Sequence, residues 1–403
     1  MQKRVLIVDQ YFYPESFRIN ELGYELVKRG YHVDALVGIP NYPEGKYYKG
    51  YGLFRKRRET YEGVNIYRCF QIPRGNSSNL MMSLNYLSYL FCASFWILFF
   101  FSFKKKYDVV IGFQMSPITQ VIPGILLKKI RGSKMLTWVQ DIWPDSITDN
   151  TSEIQNKVLL PILNSVTEFV YKNSDLLLVS SQRMDSLICR LRNYSSKIEY
   201  VPNWCDDFSS SNEKLNIDLP KGFNILMAGN LGEGIGPDDV INLVNELSDF
   251  NDINFLFAGA GSREDYLKEK IKALGLSNVY FLGRFPYKKM GAVYELADAL
   301  LLTLKQTNQL HLDVTVPSRL QAYMSSGKPV YAMIGSGARE VIESSDCGFV
   351  VEAGDYKSLA SIISETYKDQ DLLKRKGFNA RKTFEQEFTL EIGVDHFEQL
   401  IKQ

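Results

Sequence analysis

Four glycine-bearing turns in the second half of the sequence have the make-up of phosphate cradles. "MAGNLGEGIG" (227–236) sets Gly229, Asn230 and Gly232 between an apolar run and a helical pattern. There, glycine lets main-chain N–H groups approach phosphate oxygens closely. "AGAGSRED" (258–265) repeats the arrangement and adds Arg263 as a cation. In "TVPSRLQAYMSSGKPV" (315–330), Pro317 and Ser318 open a helix, Arg319 lies in its first turn, and Gln321 follows. A helix dipole, a hydroxyl and a bidentate guanidinium thus converge on one helix start. "GSGARE" (335–340) supplies Gly335 and Gly337, with Glu340 in the same region. Taken together, the four turns point to a diphosphate-bearing ligand.

The first half carries a different set. Its first turn, "QYFYPES" (10–16), lacks the G-x-G-x-x-G glycines, which argues against a dinucleotide there. Instead Glu15 and Ser16 precede a helix bearing Arg18, read either as an anion site or as an ordinary helix start. "WVQDIWPDS" (138–146) ends a strand on Asp141, the position where catalytic groups of α/β folds gather. Trp138 and Trp143 are read as shaping a sugar-sized pocket beside it. No cluster of His, Cys or carboxylates has metal-ligand spacing, so no metal is expected; the five cysteines and three histidines are scattered.

These residues need a frame. Continuous apolar runs at 4–9, 31–38, 108–113, 134–141, 175–181 and 197–203 alternate with helical stretches, the pattern of a doubly wound parallel sheet. A second series follows at 223–230, 253–261, 279–284, 299–304, 329–335 and 348–354. The polar stretch 206–222 between them reads as a linker. The expected domains are therefore 1–205, 223–385, and a terminal helix at 386–403 that packs back on the first domain, with the ligand in a cleft between two Rossmann-like halves.

One segment does not fit a simple soluble enzyme. Residues 80–103 contain no charged side chain, which is long enough to cross a hydrocarbon core as a helix. If its flanks join one sheet, a single crossing would split that sheet across the bilayer. The run therefore folds back, lies in the interface, or is a core helix. Phe91, Phe95, Trp96, Phe99 and Phe100, followed by Lys104, Lys105 and Lys106, favour an interfacial anchor. Residues 41–106 hold eleven Lys or Arg against three Glu, whereas the whole chain of 403 residues carries only +1. A basic surface around an apolar run suits an anionic membrane face, and the overall charge argues against nucleic acid.

Beyond these readings, the chain resembles the family 4 retaining glycosyltransferases of GT-B fold, in the bacterial surface-polysaccharide branch that includes N-acetyl-fucosamine transferases. The resemblance rests on "PNYPEGKYYKGY" (40–51), "EGVNIYR" (62–68), "SP" (116–117), "QDIWPDS" (140–146), "VPNW" (201–204), "AGNLG" (228–232), "GRFP" (283–286), "VPSRLQAYMSSGKPV" (316–330) and "GSGAREVI" (335–342). It implies that the second domain binds a nucleotide sugar and the first binds the acceptor. Uridine is then expected near Gly283, Arg284 and Phe285, and the diphosphate over Gly229–Gly232 and the helix opened by Ser318 and Arg319. The family's paired glutamates fall on Asp313, placed near the donor sugar, and Gln321, near the ribose. Asn41 and Tyr42 of the first motif go with the acceptor, together with Glu15, Ser16 and Arg18. Where the family carries a basic pair in the first phosphate loop, this chain has Asn230 and Ile235, which leaves Arg319 and Arg263 to neutralise charge.

The reaction so implied moves a sugar from a UDP-sugar to a polyprenyl-diphosphate-linked sugar, with retention, at the cytoplasmic face of the membrane, for capsule or O-antigen synthesis. Asp141 and Arg319 are its expected catalytic pair. A sugar-nucleotide epimerase of the same fold and a non-enzymatic membrane scaffold are the rival readings.

Overall fold

The computed structural model describes residues 2–148, 153–209, 215–306 and 314–403, and divides into two compact units, Met1–Pro202 with Gly393–Gln403 and Asn203–Ile392.

The first unit is built on strands β1 (Arg4–Val8), β2 (His32–Gly38), β3 (Arg58–Tyr61), β4 (Val64–Cys69), β5 (Val109–Gln114), β6 (Lys134–Val139), β7 (Leu176–Val179) and β8 (Ile198–Tyr200). Their order in the sheet is β3-β4-β2-β1-β5-β6-β7-β8. All neighbours are parallel except β3 and β4, which form an antiparallel edge hairpin. The expected strands are present, but the hairpin at 58–69 adds two that the apolar pattern does not reveal. Its cause is a buried ion pair: the Arg68 guanidinium, fully enclosed, meets Glu59 at 2.5 Å. Between β1 and β5 the connections turn to opposite sides, which makes the switch point where ligands of such sheets bind.

The apolar run folds as one helix, α2 (Asn79–Phe99), ending in a short turn at Phe101–Phe103. It links β4 to β5, and both belong to the same sheet, so the helix cannot cross a bilayer alone. Its buried face is Asn85, Tyr89, Ala93 and Ile97. Polar groups do the anchoring. Asn85 accepts from the Gln10 amide at 2.6 Å, Tyr89 donates to the Asp9 carbonyl at 2.9 Å, and Ser88 accepts from the Ile72 N–H at 2.8 Å. Phe91 and Phe95 point outward, 70% and 59% exposed, with Leu80, Leu87 and Phe99 also exposed. Trp96 and Phe100 are half-buried beneath the Arg58 guanidinium. Lys105 and Lys106 are exposed, but Lys104 turns inward to Asp34 (3.1 Å) and Tyr67 (2.7 Å) and so is not part of a basic flank.

The second unit has strands β9 (Phe223–Asn230), β10 (Ile253–Ala260), β11 (Val279–Gly283), β12 (Ala299–Thr303), β13 (Val330–Met333) and β14 (Gly348–Val351), in order β11-β10-β9-β12-β13-β14. Every pair is parallel, and alternate residues serve opposite faces. Ile225, Met227, Phe255 and Leu301 enter one core, whereas Leu226, Ala228, Leu256 and Leu300 enter the other. Burial on both faces explains why these strands read as unbroken apolar runs. The stretch expected as linker is partly committed to this unit. Phe208 is buried in its core, and Asp207 makes two bonds to the Arg381 guanidinium at 2.6 and 2.7 Å. That guanidinium holds the Asp207 carboxyl well below its ordinary range.

Candidate functional site

The second unit's site lies at the carboxyl ends of β9, β10 and β11. Gly229, Asn230, Gly259, Ala260, Arg284 and Phe285 line a cavity of about 420 Å³ there. Two of the glycines are dictated by packing. Gly229 and Gly259 are register partners, and a β-carbon on Gly259 would lie 1.8 Å from the Gly229 carbonyl oxygen. Gly229 itself has φ +122°, outside the range comfortable for other residues. The result is a bare main-chain wall, the kind of surface a diphosphate can approach.

Arg319 closes this wall from the other side of the switch point between β9 and β12. Its Cδ lies 3.1 Å from where a Gly229 β-carbon would stand. The helix Ser318–Ser325 that carries it is pinned by Tyr323, whose phenol oxygen accepts from the Ala228 N–H at 2.9 Å and lies 3.3 Å from the Leu301 carbonyl. Tyr323 is therefore a positioning residue that sequence reasoning missed; its spacing of one turn after Arg319 is the only signal it leaves. One guanidinium nitrogen of Arg319, Nη1, is buried without a partner among the described residues. A buried cationic donor left open in this way is a site for an anion.

Other expected donor residues are placed less directly. Arg263 is bound to Glu233 at 2.6 Å, and Lys305 meets the same carboxylate at 2.5 Å. The two cations hold the Glu233 carboxyl below its ordinary range, Lys305 foremost. Arg263 is thus already neutralised. Gln321 is buried, and its amide, turned to satisfy both groups, donates to the Pro317 and Ser318 carbonyls at 3.0 and 3.2 Å; a ribose contact requires it to leave its own helix start. Gly337 is set by crowding, since a β-carbon there would meet the Val314 carbonyl at 2.3 Å. Ser318 is exposed at the helix start, Gly335 precedes the helix Ser336–Ser345, Glu340 is half-buried within it, and Gly232 lies just beyond β9. Gly283 has φ +77° and ends β11 beside Arg284. Asp313 lies outside the described residues.

The first unit holds a smaller pocket of about 250 Å³ at the carboxyl ends of its own strands, lined by Tyr11, Tyr42, Arg74, Tyr86, Ser116 and Asp141 among others. Asp141 is aimed by the turn after β5: its Oδ2 accepts from the Ser116 N–H at 2.8 Å. Ser116 is fixed in turn by the Trp143 indole, which donates to its hydroxyl at 3.1 Å. Trp143 therefore acts through Ser116. Trp138 forms no part of the pocket; it is fully buried against Phe113 and Phe397, a correction whose reason is that β6 is central and covered on both faces.

Glu15 does not face the pocket as a ligand. It is 3% exposed, and its Oε1 accepts from the N–H groups of Asn41 (2.8 Å) and Tyr42 (2.7 Å), which fixes the turn after β2. Burial pushes its carboxyl up to about 7, opposed by those N–H bonds and by Arg74. Asn41 is likewise buried, accepting from the Arg74 N–H at 3.1 Å. Ser16 is exposed, and Arg18 pairs with Glu21 at 3.2 Å; neither lines the pocket. The residues to which sequence reasoning gave no site role here are Tyr11, Arg74 and Tyr86, from three separate segments; Ser116 opens the "SP" motif.

Comparison with known proteins agrees with this division. Residues 210–383 match the family model described as "Glycosyl transferases group 1". Over 342 residues the chain is 23% identical to WcaI of Escherichia coli (strain K12), named for glycosyl transfer in colanic acid biosynthesis, covering 80% of this chain and 81% of that one. Among solved structures, sucrose-phosphate synthase of Thermosynechococcus elongatus superposes with a TM-score of 0.71 at 15% identity, covering 100% of this chain and 99% of the other. Anabaena HepE, solved in complex with UDP, gives 0.67 at 14% identity with 100% of both chains covered. The chain has the two-domain GT-B fold, and its residues 210–383 match the model described as glycosyl transferases group 1.

Proposed function

We propose that the chain transfers a sugar from a UDP-sugar to a polyprenyl-diphosphate-linked sugar, with retention, in the assembly of a surface polysaccharide. The observation that carries this reading is the unpartnered Arg319 nitrogen beside the bare Gly229–Gly259 wall. A nucleoside diphosphate supplies the missing acceptor, and charge on the departing UDP is what that nitrogen would stabilise. HepE's complex with UDP and WcaI's name support the donor and the pathway class. N-acetyl-fucosamine is the donor sugar suggested by the sequence resemblance.

In this reading the first unit binds the acceptor. Asp141, held by Ser116 at the pocket wall, orients the acceptor hydroxyl. The departing phosphate takes the hydroxyl proton from the same face that the nucleophile attacks, so no carboxylate nucleophile and no metal are invoked. The outward face of α2, with Phe91, Phe95 and Phe99 beside exposed Lys105 and Lys106, would rest in the cytoplasmic face of an anionic membrane. A lipid-linked acceptor cannot leave that plane, so a catalyst of this kind must come to it.

The test is a panel of UDP-sugars incubated with a synthetic polyprenyl-diphosphate-sugar, with the product followed by mass. A single extended lipid-linked glycan is expected, formed only when both substrates are present. Conversion of the UDP-sugar without acceptor would instead favour an epimerase.

A further inference from the structure

Arg74 has surroundings that the transfer reaction as described does not explain. Its guanidinium lies over three tyrosine rings, Tyr42 at 4.8 Å, Tyr11 at 5.0 Å and Tyr86 at 5.9 Å. It also donates to the Tyr11 hydroxyl, and its main-chain N–H is tied to Asn41. The side chain is therefore held in one place. Yet no carboxylate pairs with it within 4.0 Å among the described residues, and its Nε is buried without a partner. Two other inward-turned cations of the same basic window do have carboxylate partners: Arg68 meets Glu59 and Lys104 meets Asp34. Ring faces offset part of the cost of withdrawing a guanidinium from water, but they leave its N–H edge unsatisfied.

We infer that Arg74 is the anion-binding residue of the first unit and takes the diphosphate of a prenyl-linked acceptor. This rests on the transfer reading for the acceptor's class, and the geometry adds which group is gripped. Tyr86 is what singles out a lipid diphosphate from a free one. It forms one wall of the pocket and belongs to α2, whose same face carries Met82 and Leu90, one turn to either side and each partly exposed. A phosphate held at Arg74 thus has an apolar surface immediately beside it for the chain it carries. The pocket's volume, about 250 Å³, leaves room for little more than the phosphate and the first sugar, with Asp141 also in its lining.

Calorimetry with geranyl diphosphate, a short soluble prenyl diphosphate, tests this on the full chain. The wild type is expected to bind it, and Arg74→Gln to weaken binding at least tenfold. Arg74→Lys, which keeps the charge but loses the fork and stacking, is expected to weaken it less and guards against a folding defect in the first variant. Inorganic pyrophosphate should bind more weakly than geranyl diphosphate, and geraniol should not compete. Unchanged affinity in both Arg74 variants overturns the assignment, and equal affinity for inorganic pyrophosphate overturns the lipid part of it. None of these readouts needs turnover, so failure of sugar transfer from UDP-sugars would be seen separately.

Discussion

The two units use opposite materials for their sites. In the second, one wall is bare main chain, where a β-carbon on Gly259 would strike the Gly229 carbonyl, and Arg319, Arg284 and Phe285 stand around it. In the first, the pocket is made almost wholly of side chains, with tyrosines around Arg74 and a carboxylate at Asp141. Main-chain N–H groups read a phosphate without regard to what it carries, whereas aromatic and ionisable side chains can be exchanged singly to fit a new partner. On the proposed reading, the donor site is the less changeable of the two and the acceptor site the more adaptable. That contrast accounts for the family match falling on residues 210–383 alone.

Breaking the contrast at its strongest point means removing Arg319. Arg319→Ala should lower turnover by roughly 10³-fold with an unchanged melting temperature, as loss of a group that stabilises developing charge does; near-normal turnover would remove it from that role. Gly259→Ala attacks the main-chain wall. Its β-carbon cannot be accommodated 1.8 Å from the Gly229 oxygen, so urea unfolding should show a loss of about 3 kcal/mol or more. On the side-chain unit, Asp141→Asn should lower turnover about 100-fold while leaving UDP affinity, measured by calorimetry, as in the wild type.

Glu15 sharpens the comparison through pH. Its folded pKa of about 7 lies above the ordinary 4.5, so the folded state retains a proton that the unfolded chain has released. The stability it contributes is complete below about 4.5 and is lost as pH rises through 7. Asp9, pushed well up by burial, acts in the same direction. Urea unfolding at pH 4.5 and pH 8 should show a loss on the order of 2 kcal/mol that shrinks in Glu15→Gln; an equal loss in the variant would assign the effect to Asp9. The smallest expected effect is at α2. Phe91→Ser with Phe95→Ser should reduce sedimentation with anionic liposomes about tenfold without altering thermal stability.

Much of the second unit was legible because its strands are buried on both faces and each reads as an uninterrupted apolar run, "FNILMAGN" being the clearest. The cluster of Gly229, Asn230, Arg284 and Phe285 followed from the motifs that end those strands. In the first unit the hairpin was hidden, since Arg68 and Glu59 look like surface residues until their pairing is seen. Trp138 misled because burial of a β6 side chain depends on strand order, which spacing does not encode. The Arg74 pocket was only partly legible for a related reason: Tyr42 and Asp141 lie in quoted motifs, but Tyr11, Arg74 and Tyr86 join them from distant segments that spacing does not bring together. Helix α2 was recognised by its apolarity, but which side faces inward was not, because its inward stripe begins with Asn85 and Tyr89.

That reversed helix has a practical corollary. Because amide and hydroxyl groups, not leucines, bind α2 to the sheet, its outward residues are dispensable to folding. Leu80, Leu87, Phe91, Phe95 and Phe99 can be exchanged for polar residues with the helix still seated, whereas an Asn85→Leu change, suited on composition to so greasy a segment, would unseat it.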